Sequence, residues 1–265
     1  MLIDMPFAEY ILKPAMSSSG LKELARSPAH YKKYITEPRK QTESMLLGSA
    51  FHTYLLENDK FNSEYSVIPK LDRRTKDGKI AYEIFMAEAG ERKLINLEMF
   101  DTIRFMTDSV NNHALAGKLI TGGVSEKSFF WTDEESGANC KIRPDYFIED
   151  KEIIVDIKTA QDASKYGFRS SIGKYMYHLQ SAFYLEGMGI AKDKDYTNFV
   201  HLVVETEAPY NIGIYVLGNL SLQKAEEKIR FLLDIYSKCL NADKWPGYEE
   251  SLQNIEIPSY LLGDE

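Results

Sequence analysis

Acidic and basic side chains with the chemistry of phosphodiester cleavage meet between Arg143 and Lys158, where RPDYF is followed by an acidic turn and the apolar run IIVDIKT. Asp145, Asp156 and Lys158 fall at the ends of two predicted neighbouring strands, which can bring them to one point. Two carboxylates can hold Mg²⁺ or Mn²⁺, which offsets charge on a phosphate and activates a water as nucleophile. The pattern therefore indicates metal-assisted cleavage of a phosphate ester.

The lysine of this segment is placed by strand geometry. In a strand, Asp156 and Lys158 point to one face while Ile157 points to the other, into the core. The ammonium would then stand beside a metal ligand, where it can orient the attacking water or stabilise the pentavalent phosphate. A surface ion pair is the commoner explanation of an isolated Asp-x-Lys. We favour the catalytic interpretation because the strand is otherwise β-branched and of a buried type, in which charges need a partner or a metal.

Length and composition bound the class of protein. The 265 residues fit a single domain, which we divide into a mainly helical part (1–115), a mixed-sheet catalytic core (120–240) and a C-terminal tail (241–265). No apolar run approaches the ~20 residues that span a bilayer, and the start of the chain lacks the pattern of a signal peptide. We therefore expect a cytoplasmic protein that makes no membrane contact.

Charge and cysteine usage narrow the options further. The net charge of −8 argues against a surface that attracts nucleic acid everywhere, but it permits a local basic channel. Five basic residues fall among residues 70–79 (KLDRRTKDGK) beside two acids, in a predicted loop. This loop is either solvated or a phosphate-contacting arm that includes Arg73, Arg74 and Lys76. Cys140 and Cys239 are too far apart to suggest a disulfide framework, a zinc site or an iron–sulfur site.

The hydrophobic pattern changes period along the chain. Helical spacing and caps predict helices in the first half, and alternation predicts strands in the second. Residues 70–79 separate two of the helices, and a turn DEESGA joins the first two strands. The order predicts an α/β fold with a mixed sheet flanked by helices. The predicted helices run from the cap at 17–19 to 25, then from 28, around 45–56, 80–92, 97–111, 175–188 and from 220; the predicted strands are 125–132, 139–148, 152–159, 198–205 and 212–217.

Further polar residues converge on the same point. His52 lies one turn beyond Gly48 in the predicted helix GSAFH, where the glycine permits a close approach of backbone or ligand. Glu126 begins the first predicted strand, as either an exposed carboxylate or a metal ligand. Gln180 and Tyr184 share one face of the helix after the third strand, where an amide and a phenol can grip a phosphate or the attacking water. His178 should face elsewhere and is interpreted as structural.

The segments GSAFH, SEKSFFW, RPDYF, VDIKT and QSAFY, in this order, resemble the PD-(D/E)xK nuclease superfamily in its branch related to RecB nuclease domains. Within that branch the chain is similar to phage and prophage exonucleases of the exonuclease VIII (RecE) type, and more distantly to lambda exonuclease. The likeness covers roughly residues 15–220, and the five segments together are far more specific than any one of them. Aspartate at position 156 stands where many members have glutamate, which the superfamily pattern permits.

The resemblance implies a restriction-endonuclease-like core with an N-terminal helical elaboration, and it assigns site residues. Lys158 matches the catalytic lysine, and Gln180 and Tyr184 match the helix motif that follows it. The metal shell matches positions His52, Glu126, Asp145, Asp156 and Ile157. We expect Mg²⁺, with Mn²⁺ as a substitute, in two metal sites.

The resemblance also implies an activity and partners. It predicts a Mg²⁺-dependent exodeoxyribonuclease, a hydrolase that degrades linear double-stranded DNA 5′ to 3′ in phage-type recombination inside a bacterial host cell. The expected partners are DNA ends, a single-strand annealing protein and further copies of the chain in a trimeric or tetrameric ring. For the 5′ phosphate we consider the helix start near residues 17–19. The residues predicted to contact DNA are Ser18, Ser19, Arg26, Arg73, Arg74 and Lys76.

Two alternatives stay open. The core motif does not encode polarity, so the chain could be a structure-specific or single-strand nuclease of the same superfamily. A non-catalytic DNA-binding protein that retains the fold is the other alternative. The complete set of acids and lysine argues against it.

Overall fold

The computed structural model describes residues 2–38 and 40–257, in which helices predominate up to Leu119 and most of the strands follow. The helices are α1 (Phe7–Leu12), α2 (Ser18–Arg26), α3 (Pro28–Thr36), α4 (Glu43–Leu56), α5 (Asn58–Glu64), α6 (Lys76–Ala89), α7 (Leu97–Asn112), α8 (Ala116–Leu119), α9 (Lys165–Tyr175), α10 (Tyr177–Lys192) and α11 (Asn219–Ala242). The strands are β1 (Leu2–Ile3), β2 (Tyr65–Val67), β3 (Lys93–Ile95), β4 (Val124–Ser125), β5 (Ser128–Thr132), β6 (Asn139–Ile142), β7 (Tyr146–Ile148), β8 (Ile153–Ala160), β9 (Asn198–Glu205) and β10 (Ile212–Val216).

A five-stranded mixed sheet forms the centre, in the order β10-β9-β8-β7-β4. The strands β8 and β9 pair in parallel over eight residues, from Ile153↔Asn198 to Ala160↔Glu205, while the other pairs are antiparallel. A three-stranded antiparallel sheet, β1-β5-β6, and a parallel pair, β2-β3, complete the strands of the described residues. The predicted fold class, a mixed sheet flanked by helices, is confirmed.

Two hydrophobic cores lie on opposite faces of the central sheet. On one face, Ile154 packs with residues of α2, α10, α11 and the smaller sheet. On the other face, Val155 and Ile157 pack with α4 and α7 through residues such as Phe51 and Ile103. The strand β8 contributes side chains to both cores, because its successive residues point to opposite faces of the sheet. A shift of its pairing by one residue would move the side chains of each core to the wrong face.

The helix starts follow the caps that the sequence shows. Ser17 accepts a hydrogen bond from the Gly20 amide at the start of α2, and Ser27 accepts one from His30 at the start of α3. Thr42, Asn96 and Ser164 do the same for α4, α7 and α9. These oxygens satisfy amides that lack a partner within the helix.

Among the described residues, no helix combines the length and apolar character needed to cross a membrane.

The strands predicted at 125–132 and 139–148 are each split in two. The first breaks at Glu126, whose φ of 54° lies in the left-handed region. The second breaks between Ile142 and Tyr146, around Arg143 and Pro144, where proline cannot donate to a ladder. The strand β5, after the first break, and the strand β6, before the second, lie outside the central sheet and pair with each other. Neither break contains a glycine, so the prediction runs one strand through each of them.

Three further boundaries differ from the prediction. The loop predicted at 70–79 extends too far, because Thr75 caps α6 and Lys76 already lies in the first turn of that helix. The helix predicted at 175–188 is preceded by α9, which the sequence reading missed, and Met176 separates the two with a φ of 50°. The tail begins later than expected, since α11 runs to Ala242. Residues 258–265 of the predicted tail lie outside the described residues.

Candidate active site

The strand β8 carries the central pair of site residues in its middle rather than at its end. Asp156 pairs with His201 of β9, and Lys158 pairs with Val203. Ile157 is buried against α4 and α7 on the opposite face. The alternation of the strand therefore places Asp156 and Lys158 side by side on the face covered by α9 and α10.

The Asp156 carboxylate is buried and accepts hydrogen bonds from three elements. Lys158 Nζ and Gln180 Nε2 lie 2.7 and 2.6 Å from Oδ1, and His201 Nδ1 lies 3.2 Å from Oδ2. Burial by itself would raise the pKa of Asp156, but the charge of Lys158 and the His201 bond hold that pKa far below its usual range. Asp156 is thus an anion fixed in one orientation.

The protonation of Lys158 is set by the same group of charges. Burial would lower the pKa of Lys158, but the carboxylates of Asp156 and Asp145 outweigh it and raise that pKa above its ordinary value. The ammonium also stands 5.1 Å from the centroid of the Tyr177 ring. Lys158 is therefore a cation, suited to orient a nucleophile or to stabilise negative charge rather than to accept a proton.

Asp145 stands where the ladder between β7 and β8 stops. The last backbone pair at this end is Tyr146↔Val155, and the next amide of β8 that faces β7, that of Ile157, donates to Asp145 Oδ2 at 2.7 Å. The carboxylate replaces a missing backbone acceptor and is held against the strand. Burial raises the pKa of Asp145, because the charge of His52 and the Ile157 bond do not fully offset desolvation.

His52 reaches the same point from α4. Its Nε2 donates to the carbonyl oxygen of Ile157 at 3.0 Å, and its Nδ1 lies 3.7 Å from Asp145 Oδ1. A histidine that ligates a metal commonly donates its other ring N–H to a backbone carbonyl, which fixes the tautomer and the ring orientation. Gly48 lies one turn earlier, and a methyl group there would stand 3.7 Å from Thr159 Oγ1, in ordinary contact with β8.

Glu126 completes the group from the break between β4 and β5. Arg143 holds it through an Nε to Oε2 contact of 2.7 Å, and the same guanidinium donates to the Met5 carbonyl and to Ser128. Burial and the neighbouring Asp145 charge raise the pKa of Glu126 to about 7, against the influence of Arg143. A bound cation would reduce the repulsion between carboxylates that lie this close together.

These donors fit a divalent metal. Ligand atoms of His52, Glu126 and Asp145 all lie within 4.8 Å of one another, and the set combines two hard carboxylates with one imidazole whose orientation is fixed. Carboxylates suit Mg²⁺ and Mn²⁺, and an imidazole is compatible with Mn²⁺. Asp156, also predicted as a ligand, is not a member of this group of three and is bound to Lys158 instead. Ile157 touches the group only through its backbone, because its side chain lies in the core.

The polar groups of Gln180 and Tyr184 form hydrogen bonds within the protein and do not face an open space. Gln180 bridges two elements, since its Nε2 donates to Asp156 while its Oε1 accepts from Lys22 Nζ at 3.4 Å. The phenol of Tyr184 donates to the Arg143 carbonyl at 3.3 Å, which steadies the segment that carries Asp145. Their predicted roles as contacts to phosphate or water stay predictions.

The residues predicted to contact DNA lie in two segments, on α2 and at the start of α6. Ser18 is buried, whereas Ser19 is exposed at the start of α2. Arg26 forms an ion pair with Glu23, and Arg74 forms one with Asp72. The Arg73 guanidinium stacks 4.0 Å above the Tyr82 ring, and Lys76 begins α6. Their predicted contacts with DNA stay predictions.

Two residues that the sequence reading missed lie at the site. His201 is fully buried between Asp156 and Ser181, whose Oγ is 3.0 Å from Nε2. Lys22 approaches Gln180 from α2, and burial followed by the charge of Lys158 lowers its pKa to about 8. A titratable residue within the apolar run NFVHLVVE was the available signal for His201. For Lys22 it was the position one turn after Ser18 on α2.

Comparison with known proteins agrees with this fold. A crystal structure from Eubacterium rectale, described as a putative exonuclease, superposes with a TM-score of 0.61 at 14% identity, over 98% of this chain and 98% of that chain. This likeness shows a shared fold. No curated protein matches the chain. Residues 17–257 match the family described as PDDEXK-like domain of unknown function (DUF3799). The chain belongs to this PDDEXK-like family, and the predicted membership of the PD-(D/E)xK nuclease superfamily is confirmed.

Proposed function

We propose that the chain is a divalent-metal-dependent exodeoxyribonuclease that degrades linear double-stranded DNA from its 5′ ends. The observation that carries the proposal is the cluster of three ligand atoms from His52, Glu126 and Asp145 directly beside the ion pair of Asp156 and Lys158. A nuclease needs negative ligands for a cation and a separate cation for the phosphate. This site offers both side by side.

Each residue has a distinct role in the proposed reaction. His52, Glu126 and Asp145 would hold a divalent cation, which when bound offsets charge on the phosphate and favours ionisation of a water. Lys158, kept protonated by Asp156 and Asp145, donates to the attacking water or to a non-bridging phosphate oxygen. Gln180 and His201 keep Asp156 oriented, so that the lysine stays in place during the displacement.

Mg²⁺ is the proposed cofactor, and Mn²⁺ should replace it. The imidazole in the ligand set favours Mn²⁺ in affinity, because Mn²⁺ accepts nitrogen ligands more readily than Mg²⁺ does. We therefore expect Mn²⁺ to reach half-maximal activation at a lower concentration than Mg²⁺. A second metal ion, which would also use Asp156, belongs to the proposal and requires Asp156 to release part of its contact with Lys158.

The polarity, the ring and the annealing partner rest on the likeness of the motifs to exonuclease VIII-type enzymes. The description of the Eubacterium rectale protein as a putative exonuclease supports an exonuclease over other nucleases. A ring would also reconcile the net charge of −8 with DNA binding, since only its channel must be basic.

The decisive experiment compares 5′-phosphorylated linear duplex with closed circular duplex in Mg²⁺. Wild type should degrade only the linear DNA. Lys158→Ala should lose activity by roughly 10²–10³-fold, the usual range for one electrostatic contact to the transition state. Lys118→Ala, at an exposed lysine of α8, is the matched control and should behave as wild type.

Each outcome has a defined meaning. An active Lys158→Ala would remove the lysine from the mechanism, provided that DNA binding in Ca²⁺ shows a folded protein. Cutting of the circle would replace the exonuclease with an endonuclease. Absence of cleavage with every metal tested, together with retained DNA binding, would favour the non-catalytic alternative.

A further inference from the structure

The helix α9 is basic in an acidic protein. Its sequence, KYGFRSSIGKY, contains three cations and no acidic residue, while the whole chain carries a net charge of −8. Lys165, Tyr166, Arg169 and Lys174 are all exposed. Tyr166 lies on the side away from the buried Phe168, with Lys165 and Arg169 towards one edge of the exposed arc and Lys174 towards the other. We call these four residues the α9 face.

The cations of the α9 face are not engaged by carboxylates. In the part of the chain that the structure describes, Lys165, Arg169 and Lys174 form no ion pair. Exposed cations elsewhere commonly do, as Arg26 does with Glu23 and Lys238 with Asp234. The positive potential of the α9 face is therefore available to an external anion.

A chain of aromatic and cationic groups leads from the α9 face into the active site. Lys174 Nζ lies 5.1 Å from the Tyr175 ring, and Tyr175 stacks on Tyr177 with centroids 5.5 Å apart. Tyr177 in turn contacts two lysines, with Lys158 Nζ and Lys22 Nζ each 5.1 Å from its centroid. The C-terminal end of α9 thus borders the catalytic lysine.

The α9 face stands on a rigid support. Phe168 is buried against the His201 ring, 5.2 Å away, and stacks on Tyr215. Ser164 caps the start of the helix through the Gly167 amide. Since His201 also binds Asp156, the helix and the catalytic strand are fixed to the same buried group. A ligand on the α9 face is therefore held in a defined position relative to the site.

We propose that the α9 face binds the sugar–phosphate backbone of the DNA strand that enters or leaves the active site. The inference rests on the proposed function and adds a binding surface that the sequence reading did not assign. Lys165 and Arg169 lie one turn apart on the same side of the helix, ~6 Å along its axis, which is close to the rise of two nucleotides along one strand of B-form DNA. These two cations can therefore contact neighbouring phosphates of one strand, while Lys174 lies at the other edge of the exposed arc, beside Tyr175.

The test neutralises the α9 face without changing its shape. The variant carries Lys165→Gln, Arg169→Gln and Lys174→Gln, and its DNA affinity is measured in Ca²⁺ by fluorescence anisotropy from 50 to 300 mM salt. We expect at least about tenfold weaker binding at 100 mM salt and a salt slope reduced by about 2–3, because each lost phosphate contact removes about 0.7–0.9. In cleavage assays KM should rise while kcat stays close to wild type.

The matched control makes the same change in charge on another helix, with Lys224→Gln, Lys228→Gln and Lys238→Gln on the exposed surface of α11. It should bind and cleave as wild type. Equal affinity and equal salt slope for the two triple variants would overturn the role of the α9 face while the nuclease activity stands. Failure of the proposed function would look different, because wild type itself would then not cleave linear DNA.

Discussion

At the scale of single residues, the orientation of Asp156 depends on a histidine that never reaches the substrate. His201 donates to Asp156 Oδ2, and its other nitrogen lies next to Ser181 Oγ. All three side chains are buried, so this row of groups cannot act as a nucleophilic triad on an external substrate. It instead fixes a carboxylate that in turn fixes Lys158, as outer-shell groups do around metal ligands.

Substitution of His201 should therefore affect catalysis more than DNA binding. His201→Leu removes the donor to Asp156, and we expect kcat to fall by about 10–100-fold, the usual cost of losing an outer-shell partner. His201→Asn keeps an N–H donor at the position of Nδ1 and should recover much of this loss. The measurements are kcat, KM and the Mg²⁺ concentration for half-maximal activity.

Thermal unfolding separates this positioning role from a purely structural one. Both variants lose part of a buried imidazole, so both should unfold at a lower temperature. If His201→Asn and His201→Leu lowered kcat equally, in proportion to their loss of stability, His201 would have no positioning role of its own.

Much of the site was predictable from residues that are unusual in their local pattern. Asp156 and Lys158 interrupt a β-branched strand, and His52, Glu126, Asp145, Gln180 and Tyr184 were found with them. The structure brings all of these together, while their roles stay predictions. Lys22 and His201 were harder to find, because a lysine on an amphipathic helix and a histidine in a core strand have common structural explanations. Only the fold shows that both contact the site.

At the scale of elements, a buried lysine ties the N-terminal helix to the small sheet. Lys141 of β6 donates from Nζ to the carbonyls of Tyr10, Ile11 and Lys13, at 2.8, 3.1 and 2.6 Å. These carbonyls lie at the C-terminal end of α1, where a helix lacks internal donors and its dipole favours a cation. The contact fixes α1 beside the Arg143 guanidinium that holds Glu126.

Replacing Lys141 with methionine should destabilise the protein. The side chain keeps a similar volume, but three carbonyls lose their donor, which we expect to cost about 1–3 kcal/mol in the free energy of unfolding. Urea denaturation measures this difference. Lys13→Met, at an exposed lysine of the same segment, is the control and should lie within about 0.5 kcal/mol of wild type. Identical midpoints for the two variants would show that the carbonyls find water instead.

The elements also show where sequence patterns stop being informative. Helix positions followed from helical spacing and from caps such as Ser17, whose side chain acts within three residues of itself. The strand breaks at Glu126 and Arg143 depend on tertiary contacts, since the guanidinium and the carboxylate hold each other across the break. The helix α9 was missed because its two glycines, Gly167 and Gly173, lower local helix propensity, while packing of Phe168 stabilises it.

At the scale of the whole molecule, the site joins both faces of the central sheet. His52 comes from the helices on one face, and Gln180 comes from the helix on the other. A cation held by His52, Glu126 and Asp145 would cross-link α4 to the segments that precede β5 and β7. Metal binding should therefore stabilise the entire fold and not only its immediate surroundings.

A thermal shift experiment measures this coupling without any substrate. Mn²⁺ at 100 times its dissociation constant should add about 2.7 kcal/mol, which corresponds to a rise in Tm of roughly 5–10 °C for a domain of this size. EDTA should reverse the rise. His52→Ala should abolish most of it, whereas His178→Ala, at another helical histidine, should retain it. A shift that survives His52→Ala would place the cation elsewhere.

The contacts around Asp156 also bear on how this chain is made in a cell. Every predicted catalytic residue lies between His52 and Tyr184, yet β9, which pairs with β8 and carries His201, follows them. The bond between His52 and Ile157 spans 105 residues, and that between Asp156 and His201 spans 45. Contacts of such separation form late, because a long loop must close first. We therefore expect a nascent or prematurely terminated chain that ends before His201 to contain all the predicted catalytic residues but to lack the contacts that hold Asp156 and Lys158 in place.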